Sequence, residues 1–375
     1  MPERFSLKDD LFNKTSVSYL ADVFYKNDTA FPRQEFINNI LEDFPGLELK
    51  ERIARVRQEL ELVLPKDFPR ACAVIIAALP IELDSKKSDG DFGNFIIAAI
   101  SDYVVHNGMK SEYCDLSLQT LQEITKRFSA EDAIRYFINE FPQKTVSFLL
   151  NCARSDNYHV RRLASEGTRP RLPWSQNIII NYKDSMPILD ILFSDSTRYV
   201  TRSVANHMND ISKIDPVYIV AALRRWQKSK KQNNDEMIYI MNHSLRTLVK
   251  RGNTSALELL GYSNKPRISV DSFSIQTPKV RIGEALLFEI SITAQKSEKL
   301  IIDYIVNYYN PSGKISRKVF KIKNMTIHKG QKQIIKKRHP FRTMTTKKLY
   351  PGIHSIELQI NGNKQHSGSF VLVKA

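Results

Sequence analysis

The chain has 375 residues, 42% of them hydrophobic and 26% charged, which is enough for two domains and a sizeable core and too apolar for a disordered polymer. Its formal charge is +16 and the excess sits at one end: Arg267 to Ala375 holds 20 Lys and Arg against 6 Asp and Glu, whereas the remainder is nearly balanced at 36 against 34. Cys72, Cys114 and Cys152 give neither a disulfide framework nor a zinc spacing, the apolar run Ala71 to Leu79 is too short to span a bilayer, and the opening residues lack a signal-peptide core, so a cytoplasmic protein without membrane contact is expected.

Up to about Leu260 the apolar residues recur at three- and four-residue steps, as in Ile53, Val56, Leu60 and Val63, and prolines or glycines break the pattern into helices of about ten to fifteen residues. Antiparallel helix pairs follow from that rhythm. Ser129-Ala-Glu-Asp132 reads as a capped start for a helix running to Phe141. Next come two versions of one helix: Tyr158-His-Val-Arg-Arg-Leu-Ala-Ser-Glu-Gly167, and forty residues later Arg198-Tyr-Val-Thr-Arg-Ser-Val-Ala-Asn-His-Met-Asn-Asp210, with Val160 matching Val200 and Arg162 matching Arg202. A weaker third copy lies in Asn242 to Val249. A period near forty is the signature of HEAT-type arrays, which bury a core only by stacking and offer a long surface to an extended partner. Between the first two copies, Gly167 to Asn177 carries two prolines and reads as an irregular loop, a place where function often sits.

From Lys265-Pro-Arg267 the period becomes two. Seven segments alternate apolar with polar residues: Arg267 to Gln276, Ala285 to Ala294, Leu300 to Asn307, Ile315 to Lys323, Gln331 to Arg338, Ile353 to Ile360 and Ser367 to Val373. Asn310-Pro-Ser-Gly313 and Asn361-Gly-Asn363 supply turns, and the count suits an immunoglobulin-like sandwich. The expected fold is therefore mainly α, a HEAT-like α-solenoid over residues 1–262, followed by an all-β immunoglobulin-like sandwich over residues 267–375. No acidic residue falls between Asp303 and Glu357, while thirteen Lys and Arg do, including Lys336, Lys337, Arg338, Lys347 and Lys348. Such a field suits nucleic acid or an anionic membrane; a merely soluble surface is the plainer alternative.

On the second repeat helix, Val200, Val204, Met208 and Ile211 share one face, and Arg202, Asn206 and Asp210 another. That polar row ends in a carboxylate near a helix C-terminus, where the macrodipole disfavours negative charge, and such a break in local consistency tends to mark function. In the first copy Arg162 and Glu166 are one turn apart, followed by Arg169 and Arg171; a surface ion pair is the plain alternative there. Trp174 follows in the loop, where it can reach a nucleobase or pack the loop down, and Trp226 at helical spacing favours core or groove packing over ligand contact. Arg161, Arg162, Arg169 and Arg171 crowd the first copy, as phosphate contacts would. The eight histidines show no metal-ligand spacing and no Gly-rich phosphate loop is present, so no cofactor or metal is expected.

The run His159-Val-Arg-Arg-Leu-Ala-Ser-Glu-Gly-Thr-Arg-Pro-Arg-Leu-Pro-Trp174, followed by Tyr199 to Ser212, closely resembles the AlkC branch of the AlkC/AlkD HEAT-like DNA glycosylases, and the resemblance covers nearly the whole chain. It implies hydrolysis of the N-glycosidic bond of cationic N3-alkylated bases, 3-methyladenine and 3-methylcytosine, in double-stranded DNA without base flipping, by a bacterial, monofunctional enzyme of base excision repair that acts as a monomer and joins the nucleoid when bound. Asp210 matches the family's catalytic aspartate, Glu166 and Trp174 match active-site positions, and Glu131 matches a further acidic position near the lesion. Arg161, Arg162, Arg169, Arg171 and Arg202 of the array, with Lys336, Lys337, Arg338, Lys347 and Lys348 of the sandwich, are then the expected DNA-binding residues. A non-catalytic nucleic-acid-binding or scaffold protein is the alternative.

Overall fold

The computed structural model describes residues 6–84, 87, 90, 92–342 and 348–374. They group into two compact units, Met1–Ile211 with Trp226–Ser244, and Ser212–Arg225 with Leu245–Ala375. Among the described residues no helix is long and apolar enough to cross a membrane.

The first unit is helical. Its helices start where short polar side chains satisfy otherwise unpaired backbone N–H groups: Asn13 accepts from the Ser16 N–H, Asp67 from that of Arg70, Asn157 from those of His159 and Val160, and Asn181 from that of Lys183. The expected cap at Ser129 does not form. Ser129 donates instead to Glu131, both are held by Arg162, and the helix begins at Ala133 with no side-chain cap on Asp132. Electrostatics across the fold outbid a local cap there.

Four helices place the residues of interest: Ala133–Glu140, Tyr158–Gly167, Arg198–Ile211 and Asn234–Lys250. Val200, Val204, Met208 and Ile211 are fully buried as their spacing requires, each contributing about 1.5–3 kcal/mol through removal from water. The Arg198–Ile211 helix packs against Tyr158–Gly167, where Ser203 and His207 meet Ser165. Gly167 is needed where the Tyr158–Gly167 helix meets Ala133–Glu140, because a Cβ there would come within 2.5 Å of Ile134 Cγ2. Successive repeats are also joined by charge: Arg161 reaches Asp195 at 2.5 Å and Arg198 reaches Glu236 at 2.5 Å. Trp226 is core, stacked on Phe193 at 4.7 Å with its indole N–H donating to Asp190. The three cysteines are buried and free.

In the second unit two sheets form a sandwich. Strands β1 (Ile268–Ile275), β3 (Ala285–Ala294) and β6 (Lys332–Pro340) make one sheet in the order β1-β3-β6. The other runs β2-β8-β7-β4-β5, with β2 at Lys279–Arg281, β4 at Glu298–Tyr308, β5 at Ser316–Ile327, β7 at Gly352–Ile360 and β8 at Asn363–Val373. All pairs are antiparallel except β2 with β8. Seven strands match the alternating segments; β2, only three residues long and directly after Pro278, is too short to show a period of two. Phe288 of one sheet meets Tyr304 of the other edge to face at 5.1 Å inside the core. At the β7–β8 hairpin, Asn361 (φ 45°) and Gly362 (φ 79°) both take left-handed backbone, as a two-residue turn of that hand demands.

Strand β4 departs from the expected alternation. Ile301, Asp303 and Ile305 are buried as well as Leu300, Ile302 and Tyr304, because residues of the same unit from Lys250 to Ser263 cover the sheet's second face: Gln359 donates to the Lys250 carbonyl and Asn361 to that of Ser263. Burial pushes the Asp303 carboxyl up to about 6, against the pull of Lys321 and Lys250.

Candidate active site on adjacent repeats

Five charged side chains alternate in sign along one chain of contacts: Glu131, Arg162, Glu166, Arg169, Asp210. Arg162 Nη1 donates to Glu131 Oε2 at 2.6 Å, and Nη2 lies 3.9 Å from Glu166 Oε1. Arg169 Nη1 donates to Glu166 Oε1 at 2.5 Å, while its Nε and Nη2 both donate to Asp210 Oδ2, at 3.0 and 2.8 Å. The sequence carries these groups on a turn before one helix (Glu131), on the first repeat helix (Arg162, Glu166), in the loop after it (Arg169) and at the end of the second repeat helix (Asp210). Only stacking of the repeats brings them together. Three carboxylates face two guanidinium groups, so these five groups together carry one net negative charge.

Burial makes that count matter, since fields are stronger where water is excluded. Glu166 is 5% and Asp210 6% exposed. Burial opposes ionisation of Glu166, but Arg162, Arg169 and a 2.5 Å hydrogen bond from the Ser203 hydroxyl together hold its carboxyl below the usual range. Arg169 is likewise held charged, its two carboxylates outweighing burial. Beneath them His207 is fully buried, its Nδ1 donating to the Ser165 carbonyl and its Nε2 lying 3.1 Å from Ser185 Oγ; burial pulls it down to about 4, so it is neutral near pH 7.

Tyr199 forms the aromatic wall. The Arg162 guanidinium stacks over its ring at 4.5 Å and Arg202 lies at 5.9 Å. The wall borders a cleft of about 540 Å³ lined by Phe92, Phe128, Glu131, Tyr136, Arg162 and Trp174 among others. Trp174 is 66% exposed on the loop. It occupies the third position of a turn closed by the Ser175 N–H on the Leu172 carbonyl, with Pro173 at the second; its φ is +66°, where glycine is the usual occupant. A bulky residue in that region costs of the order of 1–3 kcal/mol and persists only where its surroundings over-determine it.

The other residues singled out in the sequence divide. Arg161 is engaged by Asp195, the Ser155 and Asp156 carbonyls and Thr197. Arg171 is exposed and Arg202 half-buried. On the sandwich, Lys336 and Arg338 are exposed on β6 with Lys337 half-buried between them, and Lys336 sits 3.6 Å from Glu289. Lys348 is exposed, its ammonium 5.5 Å from the Tyr350 ring, and Lys347 lies outside the described residues. Four participants were not picked out from sequence: Tyr199, Ser203, His207 and Arg135. Arg135 had a signal, an arginine among Ala133, Ile134, Phe137 and Ile138 in a helix whose apolar residues are buried.

Residues 269–374 match the family described as YhaZ C-terminal Ig-like domain. Over 96% of this chain and 98% of its own length, the Bacillus subtilis (strain 168) protein named "Uncharacterized protein YhaZ" is 32% identical. The structure of Pseudomonas fluorescens alkylpurine DNA glycosylase AlkC bound to DNA containing an abasic site analog superposes with a TM-score of 0.86 at 32% identity, covering 98% of this chain and all of that one. With a helical-repeat unit, an immunoglobulin-like sandwich and near end-to-end correspondence to AlkC, the chain belongs to the AlkC branch of the HEAT-like repeat alkylpurine DNA glycosylases.

Proposed function

We propose that this protein is a monofunctional DNA glycosylase that hydrolyses the N-glycosidic bond of cationic N3-alkylated bases, 3-methyladenine and 3-methylcytosine, in double-stranded DNA. The observation that carries the reading is the alternating chain of three carboxylates and two arginines, with Glu166 and Asp210 buried, beside an exposed, strained tryptophan, in a member of the AlkC family. Alkylation at N3 already gives the base a positive charge, so it leaves with the bonding electron pair as a neutral molecule and needs no strong acid. Positive charge then develops on the deoxyribose. A net negative, water-poor site stabilises that charge more than it stabilises the ground state.

Asp210 is assigned the central role: its carboxylate faces the developing cation, orients water on C1′ and takes the water's proton as the new C–O bond forms. Glu166, held ionised by its arginines, adds negative potential. Trp174 lies against the lesion nucleotide and Glu131 near the base. Arg171 and Arg202, with the exposed basic residues of the sandwich, supply phosphate contacts. The lesion stays in the duplex stack; a fluorescent base analogue at the lesion position, whose emission rises on extrusion, should keep its stacked emission in the complex.

The deciding experiment measures free base released from N-methylated and from undamaged duplex. Release of 3-methyladenine and 3-methylcytosine from the first alone, leaving abasic sites in uncut strands, is the expected result. Duplex binding that weakens steeply with salt, without base release, would identify a binding module instead.

A further inference from the structure

The loop that carries Arg169 and Trp174 makes little regular structure of its own. Among its backbone bonds are two long ones, the Arg169 N–H to the Glu166 carbonyl and the Ser175 N–H to the Leu172 carbonyl, both at 3.3 Å. Its shape is imposed from the Ala133–Glu140 helix. Arg135, fully buried on that helix, donates from Nη1 to the carbonyls of Gly167 (3.0 Å) and Arg169 (2.8 Å) and from Nε to the carbonyl of Gln176 (2.7 Å). One turn further on, Asn139 donates to the Asn177 carbonyl at 2.9 Å and accepts from the Ile179 N–H at 3.0 Å.

These bonds all go to backbone, so they fix the course of the loop and leave its side chains available. They also bracket it. Two of the Arg135 acceptors lie before the turn that holds Trp174 and one lies after it, so a single planar guanidinium sets the distance between the two ends of the strained segment. Burial draws Arg135 down to about 10, and its bonds to the three loop carbonyls offset that cost, so an apolar side chain in its place would leave those acceptors unpaired and the loop unheld.

We propose that Arg135 is a positioning residue: by holding the carbonyls of Gly167, Arg169 and Gln176 it keeps Trp174 in its left-handed turn and Arg169 between Glu166 and Asp210. The consequence for excision rests on the glycosylase reading above; the consequence for the loop does not.

The test uses the full chain with Trp226→Phe, which leaves Trp174 as the sole tryptophan of two. Arg135→Met and the milder Arg135→Lys are compared with Arg52→Met, which removes another buried arginine that holds the backbone carbonyls of Lys8 and Phe12. Expected for Arg135→Met are a shifted Trp174 emission with acrylamide quenching raised about twofold, single-turnover excision lowered at least tenfold, and affinity for abasic-site duplex within threefold of the parent. Arg135→Lys should recover part of both the emission and the rate. Arg52→Met should lower the melting temperature and change neither. If Trp174 emission and quenching in both Arg135 variants match those of Arg52→Met, the proposal is overturned, whatever the activity. A parent chain with no excision at all would defeat the glycosylase reading, and the fluorescence comparison would still decide the role of Arg135.

Discussion

Arg169 places both Nε and Nη2 on a single oxygen of Asp210, forty-one residues further along the chain. A guanidinium usually spreads its donors over both oxygens of a carboxylate. Here the third contact goes to Glu166, so one arginine from a loop sets the separation of two acids that belong to different repeats.

Replacing Asp210 by Asn keeps an oxygen for Arg169 and removes the charge. Single-turnover release of 3-methyladenine should fall at least 100-fold, about 2.7 kcal/mol or more in the barrier, while affinity for abasic-site duplex stays within about threefold. Undiminished release by Asp210→Asn would sink its assignment.

Arg169→Ala removes the guanidinium that bridges the buried carboxylates of Glu166 and Asp210. A loss of about 3–5 kcal/mol in stability is expected, as for other buried pairs broken from one side. Adding Glu166→Gln to Arg169→Ala should restore part of it. Chemical denaturation of the single and double variants measures both; a double variant no more stable than the single one would argue against repulsion between the two acids.

His207 gives the first unit an acid sensitivity. Its folded value is pulled down to about 4 from 6.5, so its contribution is present above 6.5 and is lost as the pH falls through 4. The shift of about 2.5 units corresponds to about 3 kcal/mol. His207→Gln should flatten that part of the pH–stability curve. Loss of stability between pH 6.5 and 4 as steep in the variant as in the parent would count against it.

In the second unit the sign is opposite. Asp303 is pushed up to about 6 from 3.8, so its contribution is fully present below 3.8 and is lost as the pH rises through 6. Asp303→Asn, neutral at every pH, should therefore stabilise the protein at pH 8 by up to about 3 kcal/mol and give no comparable gain at pH 4. Thermal melts of parent and variant at the two pH values make the comparison.

The architecture was legible because two periods run cleanly in the sequence: three-to-four up to Leu260 and two thereafter. The candidate site was legible in part. Val200 to Ile211 located one helix face and hence its polar neighbour, Asp210, and two prolines marked the loop of Trp174. What the sequence could not give was pairing across repeats. Nothing local to Arg169 says that it bridges Glu166 and Asp210 rather than meeting a phosphate, and nothing local to Ser129 says that its hydroxyl turns to Glu131 and Arg162 instead of capping a helix. Those outcomes are set by which charges stacking buries together. Strand β4 failed for the same reason, since its second face is covered by residues well upstream of it, between Lys250 and Ser263.

If Trp174 lies against the lesion as proposed, its left-handed turn sets stability and activity against each other. Asparagine tolerates that backbone far better than tryptophan, so Trp174→Asn should relax the loop and raise the melting temperature of a protein that no longer excises. A laboratory selection for heat resistance alone would enrich such replacements and discard the enzyme. Persistence of tryptophan under combined selection for heat resistance and survival of methylating agents would measure what the strained turn is worth to the cell.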